Sequence, residues 1–200
     1  MGSSRRFQVL AVATLAALVV VGSALTAVRP DPKRMTLRLS DLRGHLTLVR
    51  KETGRYDAAR AANTDSVPAA VFRAHGYLAG YELDATGRDL SAGPAQVISA
   101  ASLWRSAAGA RWSLARTVKS SRAHHFRAVP IGAHIGTESR LYAYTLQEGT
   151  DTLRVYSLGW RDGRVRGTVL VAGLPHVVTP RAAVRLARRQ EARVAAELSP

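Results

Sequence analysis

Residues 154–171 read RVYSLGWRDGRVRGTVLV and carry the strongest local pattern in the chain. Asp162 and Gly163 lie between two runs in which apolar and polar residues alternate, which is typical of a β-hairpin closed by a two-residue type I′ turn. This turn predicts three facing pairs on one apolar face: Trp160 with Val165, Leu158 with Gly167, and Tyr156 with Val169. On that face Gly167 would leave room for a neighbouring side chain.

The other face of the predicted hairpin is polar, and we expect it to be mostly exposed to water. Its members are Arg161, Arg164, Arg166, Ser157 and Thr168. The three arginines are candidates for an anion-binding surface, because guanidinium groups attract acidic polymers.

Alternation with a period of two predicts four more strands, at residues 77–84, 97–104, 125–129 and 139–147. Ser106 and Thr179 are placed to cap two long helices, since their hydroxyls accept hydrogen bonds from the free N–H groups at a helix start. Hairpin-length connections favour antiparallel pairing. The sequence therefore predicts an α+β fold, with an antiparallel β-sheet of about six strands and two main helices on one face.

A single N-terminal transmembrane helix is expected to precede this domain. Residues 7–28, from Phe7 to Val28, contain no charged residue. At about 1.5 Å per residue such a helix is ~33 Å long, enough to cross a hydrocarbon core of ~30 Å. Two interpretations stay open: an uncleaved anchor, which the length of the run favours, and a secretory signal cleaved after Ala24.

The chain is accordingly expected to have three parts: a signal-anchor or transmembrane segment at residues 1–28, a linker at 29–35 and an extracytoplasmic α+β domain at 36–200. The predicted location is the cell membrane, crossed once, with the C-terminal domain outside the cytoplasm. If the signal is cleaved, the domain is secreted. The cytoplasmic membrane is thus the first predicted partner, contacted through Phe7 to Val28.

Composition narrows the possible chemistry. The chain of 200 residues has 29 Lys+Arg against 14 Asp+Glu, a formal net charge of +15, and no cysteine. The lack of cysteine excludes disulfides, thiolate metal sites and a cysteine nucleophile. The arginines are scattered without interleaved aromatic residues, so nucleic acid is not favoured as a partner.

Signatures of catalysis and of cofactor binding are missing from the sequence. It contains no GxSxG, SxxK, HExxH, GxGxxG or GxxxxGK[ST] pattern. We therefore predict no catalytic residue, no metal site and no cofactor. His124, His125 and His134 form the one local group of histidines, and they are the candidate bases if the protein is a hydrolase with a dispersed site.

Aromatic residues are the candidates for a ligand pocket, because the open end of a sheet covered by helices often leaves a cavity. The candidates are Tyr81, Trp104, Trp112, Tyr144 and Trp160. The alternative is that these residues fill the core, which aromatic side chains at such spacings often do.

Several segments are similar to uncharacterised secreted domains of actinobacteria and their relatives. LSDLRGHLTL at residues 39–48 resembles their "DLPxGF" opening, although Arg43 and His45 stand where the pattern has a proline and an aromatic residue. Further likenesses are HGYLAGYE at 75–82, SLWRSAAGA at 102–110 and YSLGWRDGRVRGTVLVAG at 156–173. The resemblance implies no activity. The order of elements loosely resembles the PsbP/Mog1-type sandwich and the extracellular sensor domains of actinobacterial kinases.

The function that these observations favour is a non-catalytic, membrane-anchored extracytoplasmic domain that binds a ligand, a cell-envelope component or a protein partner. Two alternatives remain open at this point. One is a cell-envelope hydrolase with a dispersed histidine-based site, and the other is a basic surface that binds anionic polymers.

Overall fold

The computed structural model describes residues 29–42, 45–65 and 67–199, without the side chains of residues 63–65. Its helices are α1 Pro32–Met35, α2 Ala58–Asp65, α3 Ala69–Ala74, α4 Ala107–Ala123 and α5 Pro180–Leu198, with a 3₁₀ turn at Leu39–Asp41. Its strands are β1 Leu46–Leu48, β2 Gly54–Tyr56, β3 Tyr77–Gly87, β4 Gln96–Trp104, β5 Arg127–Val129, β6 Glu138–Glu148, β7 Asp151–Asp162 and β8 Val165–Gly173.

All eight strands join one antiparallel sheet in the order β1-β3-β4-β8-β7-β6-β5, and β2 also pairs with β3. The α+β class and the antiparallel sheet are thus confirmed. The predicted count of about six strands is too low, because β1 and β2 were missed. Each has only three residues, which is too short for an alternation to stand out.

The hairpin of residues 154–171 forms, but its register differs from the predicted one. Asp162 pairs with Val165 and Trp160 with Gly167, so the turn consists of Gly163 and Arg164. Gly163 has φ +49° and Arg164 has no positive φ, as in a type II′ turn. The shift is two residues, and side chains alternate between faces, so each residue keeps its predicted face.

The two long helices lie on opposite faces of the sheet, and the prediction of one face is wrong. Gly159 and Trp160 are adjacent on β7 and therefore point to opposite sides. The Trp160 indole donates to Gln190 of α5 (Nε1 to Oε1, 3.4 Å), whereas a Cβ at Gly159 would lie 3.1 Å from Leu114 of α4. The face expected to be wet is covered because glycine and small residues on it let α4 approach.

Each face has its own core. On the α5 side, Trp160 and Leu158 of β7 pack with Ala183, Ala187 and Val194 of α5. Gln190 is fully buried among them and donates from Nε2 to the Ala100 carbonyl at 2.8 Å. On the α4 side the buried residues are Ala58, Ala62, Phe72, Tyr77, Trp104 and Ala110.

The predicted helix caps are confirmed. Ser106 Oγ accepts from Gly109 N at 3.3 Å, and Thr179 Oγ1 accepts from Ala182 N at 3.2 Å. Both hydroxyls satisfy N–H groups that have no partner inside the helix.

Residues 29–35, expected to be a linker, are largely folded onto the domain. Asp31 caps α1, and its N–H donates to Glu197 of α5 at 2.9 Å. Met35 is 0% exposed and belongs to the core on the α5 side. The sequence did not predict this contact, because Met35 is a single apolar residue after a run of prolines and charged residues. Among the described helices none is long and apolar enough to cross a bilayer, and the predicted span at 7–28 lies outside the described residues.

The Trp160–Gly167 pair yields a test of the hairpin register. A Cβ at Gly167 would overlap the indole ring of Trp160. We expect Gly167→Ala to lower the free energy of unfolding by about 1–3 kcal/mol, since overfilling a packed core forces side chains off their rotamers. Urea unfolding measures the change. Gly132→Ala is the matched control, because no atom lies within 4 Å of a Cβ there. Equal effects of the two changes would contradict the observed register.

Candidate functional site

The register of the sheet aligns residues of neighbouring strands into rows on the α4 face. One row runs through Glu138, Arg161, Arg166, Ser102, Gly80 and Tyr56. The next row runs through Arg140, Gly159, Thr168, Ala100 and Glu82. Ser102 and Gly80 in the first row and Gly159 and Ala100 in the second have small side chains, so the sheet surface is low at these positions and the covering helices leave space above it.

That space is a cavity of about 320 Å³, which we call the central cavity. The sheet supplies its floor through Ile98, Ala100, Ser102, Arg166, Thr168 and Leu170. Helices α2, α3 and α4 cover it with Arg60, Ala61, Phe72, Ser113 and Thr117. Tyr56, Tyr77, Trp104, Glu52 and Glu82 complete the lining. A concave site with a few convergent polar groups is the usual form of a small-molecule site.

Gly80 allows Tyr56 to reach the central cavity. A Cβ at Gly80 would overlap the Tyr56 ring and the Tyr77 hydroxyl, so the ring of Tyr56 lies directly over the β3 backbone. The Tyr77 hydroxyl donates to the Tyr56 carbonyl at 2.9 Å and fixes β2 in this position. The Tyr56 side chain thereby lines the central cavity together with Ser102, which lies in the same row.

The hydroxyl of Tyr56 keeps its proton at neutral pH. Burial raises the pKa of Tyr56 to about 12, although the nearby guanidinium of Arg166 opposes this shift. The carboxylate of Glu82 raises the same pKa further. The hydroxyl therefore feels a positive and a negative group of the lining, and it acts as a neutral donor and acceptor.

Three further polar groups define the floor of the central cavity. The Trp104 indole donates to Ser102 Oγ at 3.0 Å. Arg166 Nη2 donates to Thr117 Oγ1 of α4 at 2.7 Å. Thr168 Oγ1 is buried and has no hydrogen-bond partner among the described residues. An unsatisfied buried hydroxyl is rare enough in folded proteins to need an explanation.

Acidic residues lie on the β3 side of the central cavity. Arg60 Nη2 lies 3.4 Å from Glu52 Oε2 and 3.4 Å from Glu82 Oε1, so two carboxylates share one guanidinium. Burial raises the pKa of Glu82, and Arg60 opposes this while Asp84 and Glu52 add to it. This side of the cavity is therefore acceptor-rich and carries more negative than positive charge.

The five candidate aromatic residues do not form one pocket. Trp104 lines the central cavity. Trp112 packs against the core on the α4 side and stacks on His75, with ring centroids 4.0 Å apart. The other three lie elsewhere: Tyr81 pairs with Ala101 on the α5 face, Tyr144 stacks on Phe126 near β5, and Trp160 is buried against α5.

The three candidate arginines also separate. Arg161 is only 8% exposed and pairs with Glu138 (Nε to Oε2, 3.1 Å). Arg164 is exposed in the hairpin turn. Arg166 faces the central cavity. Arg161 and Arg166 are direct cross-strand neighbours, and Glu138 on the far side of Arg161 offsets the repulsion between them.

The histidine group lies outside the central cavity. His124 ends α4, His125 follows it with φ +57°, and His134 lies in the loop before β6. All three side chains are exposed, and none of their imidazoles hydrogen-bonds to a described residue. Within the described part of the chain, no group of three histidine or acidic residues could hold a metal ion.

Sequence reasoning missed most of the cavity lining. Tyr56 lies on a strand of three residues, and Thr168 and Arg166 lie on the face that was expected to be wet. One signal was available in the sequence: Gly80 and Glu82 share one face of β3, and a glycine beside a carboxylate on one face of a strand indicates space next to a polar group. Small residues at matching positions of adjacent strands indicate space, but matching them requires the register.

The fold is similar to a solved extracellular domain. The extracellular domain of PknH from Mycobacterium tuberculosis matches with a TM-score of 0.54, over 84% of this chain and 98% of that domain, at 14% sequence identity. The two chains share a fold. This agrees with the predicted likeness to extracellular sensor domains, at the level of the chain path alone. No protein family and no curated protein matches the sequence, so the likeness to the DLPxGF domains stays a prediction.

Asp84, the next acidic residue on this face of β3, gives a test of the electrostatics. It is buried, and both its oxygens accept from Gln96 Nε2, at 2.9 and 3.0 Å. Burial raises the pKa of Asp84 above its ordinary value of 3.8. The folded state then holds the proton more tightly than the unfolded state, so stability falls as the pH rises from 3.8 to the raised pKa.

We therefore expect the stability gain of Asp84→Asn over the wild type to grow as the pH rises through this interval and then to level off. Urea unfolding between about pH 3 and about pH 7 measures it. Asp89→Asn is the control of opposite sign, because the Ser91 hydroxyl bonds the Asp89 carboxylate and lowers its pKa. A flat difference curve for Asp84→Asn would contradict the assigned burial.

Proposed function

We propose that the chain is a non-catalytic extracytoplasmic domain, held at the cytoplasmic membrane by residues 7–28, that binds a small polar ligand in the central cavity. The observation that carries this proposal is the cavity itself. It has about 320 Å³ of space and a lining that includes hydroxyl, guanidinium and carboxylate groups.

The energetics of the lining support binding. A buried donor or acceptor without a partner costs about 1–3 kcal/mol, so a hydroxyl such as Thr168 Oγ1 is disfavoured in a purely structural role. A ligand that completes its hydrogen bonds recovers that free energy on binding. The α5 face offers the contrast, because its buried polar side chain, Gln190, has partners for both ends of its amide.

The chemistry of the cavity favours binding over hydrolysis. Its lining contains several hydroxyls, but no histidine to activate one of them. Tyr56 stays protonated because burial raises its pKa to about 12, so its hydroxyl is a poor nucleophile at neutral pH. Among the described residues, no carboxylate or hydroxyl hydrogen-bonds to the exposed histidines His124, His125 and His134 and orients them.

The placement of the arginines favours a cavity ligand over an acidic polymer. Arg161 is buried in its ion pair with Glu138, and Arg166 lines the central cavity, so Arg164 alone of the three faces solvent. A polymer chain needs several exposed cations in a row.

An extracytoplasmic location is supported by two independent features. Residues 7–28 are long and apolar enough to span a bilayer. The fold is shared with a domain that is itself extracellular. The absence of cysteine is compatible with an oxidising compartment.

The membrane topology is tested on the full-length chain with a C-terminal epitope tag. We expect protease added outside intact spheroplasts to remove the tag, and carbonate washing to leave the protein in the membrane. Leu18→Arg should weaken this attachment, because an arginine in the middle of a span costs about 2.5–3.5 kcal/mol. Gln8→Arg, at the edge of the run, is the matched control. A tag that stays protected until the cells are lysed would overturn the proposed location.

The binding function is tested by filling the cavity. We expect small molecules extracted from the envelope and medium of the producing cells to raise the Tm of the full-length protein, since a ligand that binds only the folded state stabilises it. Ala100→Leu places extra carbon atoms on the cavity floor and should abolish the rise. Ala128→Leu, on the exposed strand β5, should leave it unchanged. A Tm rise of equal size in both variants would place the ligand elsewhere.

A further inference from the structure

Hydroxyl hydrogens on the cavity floor are left without an acceptor among the described residues. Trp104, Ser102 and Tyr56 have three donor hydrogens, and one hydrogen bond joins them, from the Trp104 indole to Ser102 Oγ. The indole can only donate, so at least one of the two hydroxyl hydrogens of Ser102 and Tyr56 is left over even when these hydroxyls bond each other. A nearby arginine could not accept this hydrogen, because a guanidinium group only donates hydrogen bonds.

A second donor lies on the adjacent strand. Thr168 Oγ1 is buried without a partner among the described residues, and Thr168 is two residues from Arg166 on the same face of β8. Arg166 and Ser102 are direct cross-strand neighbours. Two unused hydroxyl hydrogens thus flank one guanidinium, which is the arrangement that binds the oxygens of an anion.

The opposite side of the cavity has the reverse polarity. Glu52 and Glu82 share the single guanidinium of Arg60, which leaves an excess of one negative charge and several free carboxylate lone pairs. Groups that fit this side are positively charged or donate hydrogen bonds.

The two sides are separated by one strand. Arg166 lies on β8 and Glu82 on β3, with β4 between them, so their backbones are about 10 Å apart. Both residues line the same cavity of about 320 Å³. One small molecule can therefore touch both ends.

We propose that the ligand of the central cavity is a small zwitterion of the amino acid or short peptide class. Its carboxylate contacts Arg166 together with the Thr168 and Tyr56–Ser102 hydroxyls, and its ammonium group faces Glu82 and Glu52. This inference rests on the proposed function and adds the chemical class and the orientation of the ligand.

The test uses the full-length protein and a defined panel of probes. The panel contains the common L-amino acids and their glycyl dipeptides, with glucose, N-acetylglucosamine, glycerol, acetate and phosphate as comparisons. Tm is measured first, and Kd is then measured by calorimetry for each probe that raises it. We expect at least one zwitterion to bind, and its analogues without the amino group or without the carboxyl group to bind at least tenfold more weakly.

Two substitutions test the orientation. Arg166→Met should weaken binding of the zwitterion at least tenfold and leave the Kd of its des-carboxy analogue unchanged. Glu82→Gln should weaken binding of the zwitterion and leave the Kd of its des-amino analogue unchanged. Arg164→Met removes the same charge from the exposed turn and should change neither Kd. Thr168→Val serves if Arg166→Met does not fold, because it keeps the shape of the side chain, removes an unused hydroxyl, and should still weaken carboxylate binding.

Each other outcome counts against a distinct statement. If the sugars or glycerol bind, and Arg166→Met does not change their Kd, the assignment of the ligand as a zwitterion is overturned. The proposed ligand-binding function is then kept. Equal binding of a zwitterion and its des-amino analogue would overturn the orientation toward Glu82. No change in Tm with any probe in the panel would overturn the zwitterion, and the absence of a Tm rise with the envelope and medium extracts as well would overturn the binding function of the cavity.

Discussion

The packing of the Trp160 indole over Gly167 fixes the register of β7 against β8, and the rest of the architecture depends on that register. A bulkier residue at 167 would overlap the ring. Through β8 the register passes to β4 and then to β3, so Arg166, Ser102 and Gly80 lie in one row on the opposite face of the sheet. A slip of one residue would turn these side chains toward α5 and bury the apolar set of the other face against α4. The packing of the apolar core on the α5 face therefore sets the positions of the residues that line the central cavity on the α4 face.

The two faces use buried polar groups in different ways. On the α5 face Gln190 bridges the Trp160 indole and the Ala100 carbonyl, and the bridge joins helix to sheet. On the α4 face Thr168 Oγ1 is buried without a hydrogen-bond partner among the described residues, and charged groups of opposite sign line the cavity. A buried hydroxyl without a partner lowers stability by about 1–3 kcal/mol. This asymmetry between the faces is the physical basis of the proposed binding role of the cavity.

Much of the scaffold follows from local sequence patterns, and the site does not. Ser106 and Thr179 cap α4 and α5 as their side-chain chemistry requires, and the alternation in residues 154–171 assigns each residue of the hairpin to its correct face. The exact turn was misplaced, because glycine is compatible with either position of a two-residue turn. Trp104 and Arg166 were identified as candidates, and they do share the cavity. Tyr56, Thr168 and Glu82 were not, since the short strand β2 and the contact of α4 with a polar-looking face arise only when distant segments meet.

The sequence alone determined the α+β class, the antiparallel pairing, the helix caps and the apolar run at residues 7–28, because each depends on neighbours within a few positions of the chain. Only the tertiary structure decided that α4 and α5 cover opposite faces and that a polar space remains under α4. Both depend on where small residues from separate strands coincide, at Gly159, Ala100 and Gly80. That coincidence is a property of the register between strands, and no single strand encodes it.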